Sequence, residues 1–114
     1  MATAQRLICA SADLVEAGDG VRFVLERHGV AEAAFAIRWQ GRVRAYFNRC
    51  AHVPVELDAQ PGKFLDSSGL YLICTVHGAL YDPTSGACLL GRCQGRGLEP
   101  LPVEERNGAV YLMS

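Results

Sequence analysis

Cys50 and His52 stand one residue apart in "NRCAHVPVEL", residues 48 to 57, and Cys74 and His77 stand two apart in "ICTVHGALYD", residues 73 to 82. Thiolate with imidazole is a common ligand set for zinc or iron, so four such side chains on two loops are a chemically sound metal site. The full pattern is C-x-H, twenty-one intervening residues at 53 to 73, then C-x2-H. Zinc modules usually pair cysteine with cysteine across two to four residues, and histidine with histidine across three to five. Here each loop supplies one of each. That mixed pairing suits a binuclear centre in which two cysteines hold one iron, two histidines hold the other, and sulfides bridge them. A structural zinc site on the same four residues stays open as the other chemistry.

The elements that must carry these loops are short and extended. "RLICA" at 6 to 10, "VRFVLE" at 21 to 26 and "AFAIRW" at 34 to 39 are apolar or alternating runs between turn signals. Gln40-Gly41 joins the third run to "RVRAYFN" at 42 to 48, a hairpin that leads directly into Cys50. Ser67-Ser68-Gly69 turns the chain into "LYLIC" at 70 to 74, and a second hairpin runs through "ALYD", "DPTSG" and "ACLL". "GRCQGRG" at 91 to 97 is too rich in glycine for regular structure, whereas "LEPLPVEE" and, past Asn107-Gly108, "AVYLM" resume the extended pattern. "AEAAF" near 31 to 35 has the composition for one helical turn, but its extended continuation argues against a long helix. Many closely spaced short strands predict an antiparallel sandwich or small barrel, with residues 1-114 as one domain.

Composition agrees with a folded protein: 114 residues, 50% hydrophobic and 20% charged, values at which disorder is not expected. Net charge is -1 and ten of the eleven basic residues are arginine, so no broad basic field exists to hold nucleic acid. No stretch reaches the roughly 18 apolar residues of a membrane span, and the opening "MATAQRLICASADL" lacks the pattern of an export signal. A soluble cytoplasmic protein is expected. Five cysteines in such a chain point to metal or thiol chemistry rather than a disulfide framework.

"CAH" and "CTVHG" together resemble the signature of the Rieske 2Fe-2S family, and "HGALYDPTSGACL" is similar to that family's second ligand loop. The likeness is strongest over residues 45 to 103, and the whole chain resembles a soluble stand-alone Rieske-type ferredoxin. It implies an all-β antiparallel sandwich with a cluster-binding subdomain of two ligand loops. It also implies one 2Fe-2S cluster, with Cys50 and Cys74 on one iron and His52 and His77 on the other. The function implied is one-electron transfer between a reductase and an oxygenase, by a monomer with no catalytic turnover of its own. The small electron-relaying subunit of a nitrite-reductase-like complex resembles the same domain. A zinc-binding interaction module is the reading from a different class.

Departures from the family pattern are informative. The interval between His52 and Cys74 is longer than usual, and the excess is expected in a surface loop, "ELDAQPGKFLDSSG". Thr75 stands where many ferredoxins have proline, and "GRCQGRG" lacks the proline often found in the third loop. Respiratory-complex members carry an additional cysteine in each ligand loop, and those two form a disulfide. Residues 53 to 57 and 75 to 76 contain none here. At the serine and tyrosine positions that donate hydrogen bonds to sulfur in that class, this chain has Ala79 and Tyr81. One missing donor favours a potential in the lower half of the range of about -150 to +300 mV.

The remaining candidates have plainer readings. Cys9, Cys88 and Cys93 are expected to pack as small apolar side chains. His28 lacks a partner at ligand spacing and is read as a surface or capping residue, Trp39 as core, and Arg92 and Arg96 as solvated surface.

Overall fold

The computed structural model describes residues 5–50, 55–58, 60–74, 78–91 and 96–113. Strand β1 (Gln5–Ala10) runs into a single 3-10 turn, Ser11–Asp13, and is followed by β2 (Val21–Arg27), β3 (Val30–Trp39) and β4 (Arg42–Phe47). Three short strands come next, β5 (Leu72–Ile73), β6 (Leu80–Tyr81) and β7 (Cys88–Leu90). The chain closes with β8 (Pro100–Leu101), β9 (Val103–Arg106) and β10 (Ala109–Met113). These form three antiparallel sheets, ordered β1-β10-β9, β2-β3-β4-β8 and β5-β6-β7. The all-β antiparallel expectation holds, and no helix among the described residues is long and apolar enough to cross a membrane.

Successive side chains of a strand point to opposite faces, and β3 uses this to serve two cores. Ala34, Phe35, Ala36 and Ile37 are all fully buried. Ala36, with Ala45 of β4 opposite it, faces Leu14 and Val110 in the core against the β1-β10-β9 sheet. Phe35 and Ile37 face the other way, into a larger core with Tyr46, Phe64, Cys50, Cys74 and Tyr81. Small residues allow the two larger sheets to approach, and large ones fill the space beneath the ligand loops. The helical turn that "AEAAF" could have formed is strand throughout, because the segment pairs along β2, with Ala31 opposite Glu26, Ala33 opposite Val24 and Ala34 opposite Phe23.

Two-residue turns with positive φ at both positions set the hairpins, the geometry that matches strand twist. They are Gln40-Gly41 between β3 and β4, as expected, Asn107-Gly108 between β9 and β10, and His28-Gly29 between β2 and β3. His28 is thus an exposed turn residue.

The segment expected as a surface loop after the first ligand pair is exposed at Glu56, Gln60, Pro61, Lys63, Ser67 and Ser68, and anchored in the core by a few residues between them. Leu57 and Phe64 are fully buried, and Asp58 is 5% exposed. The Phe64 ring stacks on Phe35, with centroids 3.9 Å apart and planes 10° apart. Gly20 makes room for it, since a Cβ there would stand 2.6 Å from Phe64 Cδ2. Apolar burial outweighs solvation of this segment once two of its side chains find a sheet to pack on. Trp39 packs against the same core and donates its Nε1–H to the Gly69 carbonyl at 3.1 Å.

Candidate metal centre

Both cysteines lie just past strand ends, where a rigid sheet can aim a loop side chain. Cys50 follows the end of β4 by three residues and is 3% exposed, and Cys74 follows β5 directly and is fully buried. Their main chains are closed in the same way. The Cys50 N–H donates to the Val55 carbonyl at 2.8 Å, and the Cys74 N–H donates to the Ala79 carbonyl at 2.9 Å, five residues on in each case. Gly78, at φ +73°, donates back to the Cys74 carbonyl at 2.7 Å. A left-handed backbone suits glycine there, which explains the residue after the "CTVH" run.

Tyr81, on β6 between Leu72 and Cys88 of its neighbouring strands, is fully buried with its hydroxyl oxygen 3.3 Å from Cys50 Sγ. A thiolate can only accept, so toward a deprotonated Cys50 the tyrosine is the donor. Ala79 is 2% exposed and sits in the same buried cluster, with its Cβ 3.2 Å from where a Cβ on Gly91 would stand. Both second-loop positions singled out in the sequence therefore face the cysteine region.

The base of the first loop rests on a polar pair that the sequence reading passed over. Asn48 and Asp58 are the buried polar residues of the described chain, 4% and 5% exposed. The Asn48 amide donates to Asp58 Oδ1 at 2.8 Å and accepts from the Leu57 N–H at 2.8 Å. An asparagine two residues before a ligand-type cysteine, at a strand end, was the available signal.

Beside Cys50, a cleft of about 240 Å³ is lined by Arg27, Glu32, Phe47, Arg49, Gly97 and Glu99. Arg27 spans it, bonding Glu32 and Glu99 at 2.6 Å each while its guanidinium lies 4.1 Å from the Phe47 ring centroid. Cys88 is disulfide-bonded, which corrects its reading as a simple apolar thiol, while Cys9 is a half-buried free thiol. Burial, and next the Asp13 carboxylate, push the Cys9 thiol above its usual range.

His52 and His77 lie outside the described residues, as do Cys93, Thr75 and Arg92. Among the described residues no group of three ligating side chains gathers. What is described fits an iron-sulfur group: two buried thiols outside any disulfide, sharing one apolar cluster, with a hydroxyl set against one sulfur. Buried soft ligands in apolar surroundings are the setting such clusters use.

Fold and cysteine pair together describe a small all-β protein with two buried thiols beneath its short third sheet. The family model for the Rieske [2Fe-2S] domain matches residues 5–104, and the chain belongs to that family, whose cofactor is a Rieske-type 2Fe-2S cluster. No curated protein sequence matches it. Among solved structures it is similar to a ferredoxin of Sphingomonas yanoikuyae B1, at 22% identity over 97% of this chain and 99% of that one, with a TM-score of 0.72. It is similar also to the ferredoxin of carbazole 1,9a-dioxygenase from Nocardioides aromaticivorans IC177, at 18% identity over 96% of both chains, with a TM-score of 0.71. A third, from a complex of reduced oxygenase and oxidized ferredoxin in carbazole 1,9a-dioxygenase, shares 20% identity over 96% of this chain and 92% of that one, with a TM-score of 0.72.

Proposed function

We propose that the chain is a Rieske-type ferredoxin that carries single electrons from a reductase to an oxygenase, working in the cytoplasm as one domain. The observation that carries this reading is the pair of buried cysteines on two similarly closed loops, with the Tyr81 hydroxyl 3.3 Å from one of them. Cys50 and Cys74 would hold one iron through thiolate, and His52 and His77 the other through imidazole. When bound, the cluster supplies reversible one-electron chemistry. With all four protein ligands in place no metal position is open to a substrate, which separates a carrier from an enzyme.

The chain's own residues do the rest. Tyr81 donates toward the Cys50 sulfur and stabilises extra electron density there. Ala79 supplies no such donor, and this favours a potential in the lower half of the range of about -150 to +300 mV. The core of Phe35, Tyr46, Phe64 and Leu72 keeps water from the cysteine side. An oxygenase as acceptor is supported by the structure of a ferredoxin with reduced oxygenase to which this chain is similar.

The test is a visible and electron paramagnetic resonance spectrum of the purified protein, followed by reduction in the presence of a reductase and a Rieske oxygenase. A red-brown protein bleached by dithionite, and oxygenase turnover that requires it, are expected. A colourless protein with stoichiometric zinc would overturn the reading.

A further inference from the structure

The first ligand loop leaves β4 at Asn48, and Leu57 comes back beside Asn48 at its base, where two side chains close the neck. Asn48 is held from behind by its own N–H, which donates to the Ala33 carbonyl of β3 at 2.9 Å. Its side chain then spans the neck, accepting from the Leu57 N–H and donating to Asp58. The Asp58 side chain is entirely buried, yet its carboxylate is fully engaged. Oδ1 takes the Asn48 amide, while Oδ2 takes the Gly62 N–H at 2.9 Å and lies 3.2 Å from Arg22 Nε of β2. A buried charge with this many donors is stable where it is and costly to disturb, which suits it as a fixed anchor. Inside the neck, Cys50 to Val55 forms the second closure.

We infer that Asn48 and Asp58 are positioning residues that hold the Cys50 sulfur beneath the Tyr81 hydroxyl. Cys50 is only two residues from Asn48, and the Tyr81 contact is a hydrogen bond whose strength depends on distance and angle. Loosening the neck moves the sulfur and weakens that bond without altering any ligand or any charge near the cluster. The inference rests on the assignment of Cys50 as a ligand.

Asn48→Ala tests it. The expected result is loss of cluster colour under a strong iron chelator roughly tenfold faster than wild type. A lowered reduction potential and displaced g-values should accompany it. Asn48→Ser, the milder change, is expected to shift all three in the same direction by less. The exchange Asn48→Asp with Asp58→Asn keeps net charge and a hydrogen bond between positions 48 and 58, with its direction reversed and the carboxylate moved next to Cys50, and is expected to restore the bleaching rate and g-values, but not the potential, toward wild type. Val110→Ala, in the core on the far side of β3, serves as the control: it lowers stability and leaves potential and g-values alone. Wild-type potential and bleaching rate in both single variants would overturn the inference, as would an equal shift in Val110→Ala. A wild-type protein that assembles no cluster would overturn the ligand assignment and the inference with it.

Discussion

The Tyr81 hydroxyl reaches the Cys50 sulfur at 3.3 Å from the strand that closes the other cysteine's loop, since Cys50 follows β4 while the Cys74 loop runs from β5 into β6, where Tyr81 lies. The contact ties the two ligand loops together and makes the sulfur's electron density depend on a residue thirty-one positions away. Tyr81→Phe is therefore expected to lower the reduction potential while keeping the cluster. Protein-film voltammetry of the two proteins checks this, and an unchanged potential would remove tyrosine from the tuning set.

Ala79→Ser should act in the opposite direction. Position 79 is buried in the cysteine cluster, and a hydroxyl there has sulfur as an available acceptor, so the potential is expected to rise. The same voltammetry decides it.

Phe64→Ala should cost about 3–5 kcal/mol, the range for truncating a buried aromatic. Phe64 is fully buried and stacked on Phe35 at 3.9 Å. Chemical denaturation monitored by circular dichroism measures the loss. A cost under about 1 kcal/mol would mean that the long segment between the ligand pairs is not part of the core.

Acid should expose the Arg38–Glu105 pair. Arg38 grips Glu105 through two bonds, at 3.0 and 2.5 Å, and holds its carboxyl down to about 2 from an ordinary 4.5. A depressed carboxylate contributes stability that is present above pH 4.5 and lost as pH falls toward 2. The stability difference between wild type and Glu105→Gln should thus shrink across that window. Melting temperatures of the two proteins between pH 6 and about 2 test it.

Alkali should act through Tyr46. Its hydroxyl donates to the Pro83 carbonyl at 2.8 Å, and burial raises its pKa from 10.0 to about 12. A raised acid contributes stability that is intact below pH 10 and declines as pH approaches 12. Tyr46→Phe should cost about 1 kcal/mol at neutral pH and show a smaller alkaline decline. Denaturation midpoints at pH 8 and pH 11 give the comparison.

The cysteine-histidine spacing and the Gln40-Gly41 and Asn107-Gly108 turns were legible because each is a local pattern with a local cause. The same is true of the second hairpin, where β6 and β7 flank the "DPTSG" turn. What escaped depends on contacts between distant residues. "AEAAF" carries helix-forming alanines, and only pairing with the neighbouring strand β2 makes them extended. "ELDAQPGKFLDSSG" looks polar on average, yet Leu57 and Phe64 are drawn inward by Phe35, which lies more than twenty residues earlier. Asn48 and Asp58 have the composition of turn residues, and their burial is visible only once β2 and β3 pack against the loop's neck.

Strand β3 is a partition with a different tenant on each side, alanine toward one sheet and bulky side chains toward the cysteines. A slip of one residue in its pairing would exchange the tenants and present methyl groups where the cysteines need a floor. The turns at its two ends, His28-Gly29 and Gln40-Gly41, thereby act as stops that lock the alignment. Inserting a single residue into either turn is a change at the far surface of the hairpins, and its damage would be felt at the metal.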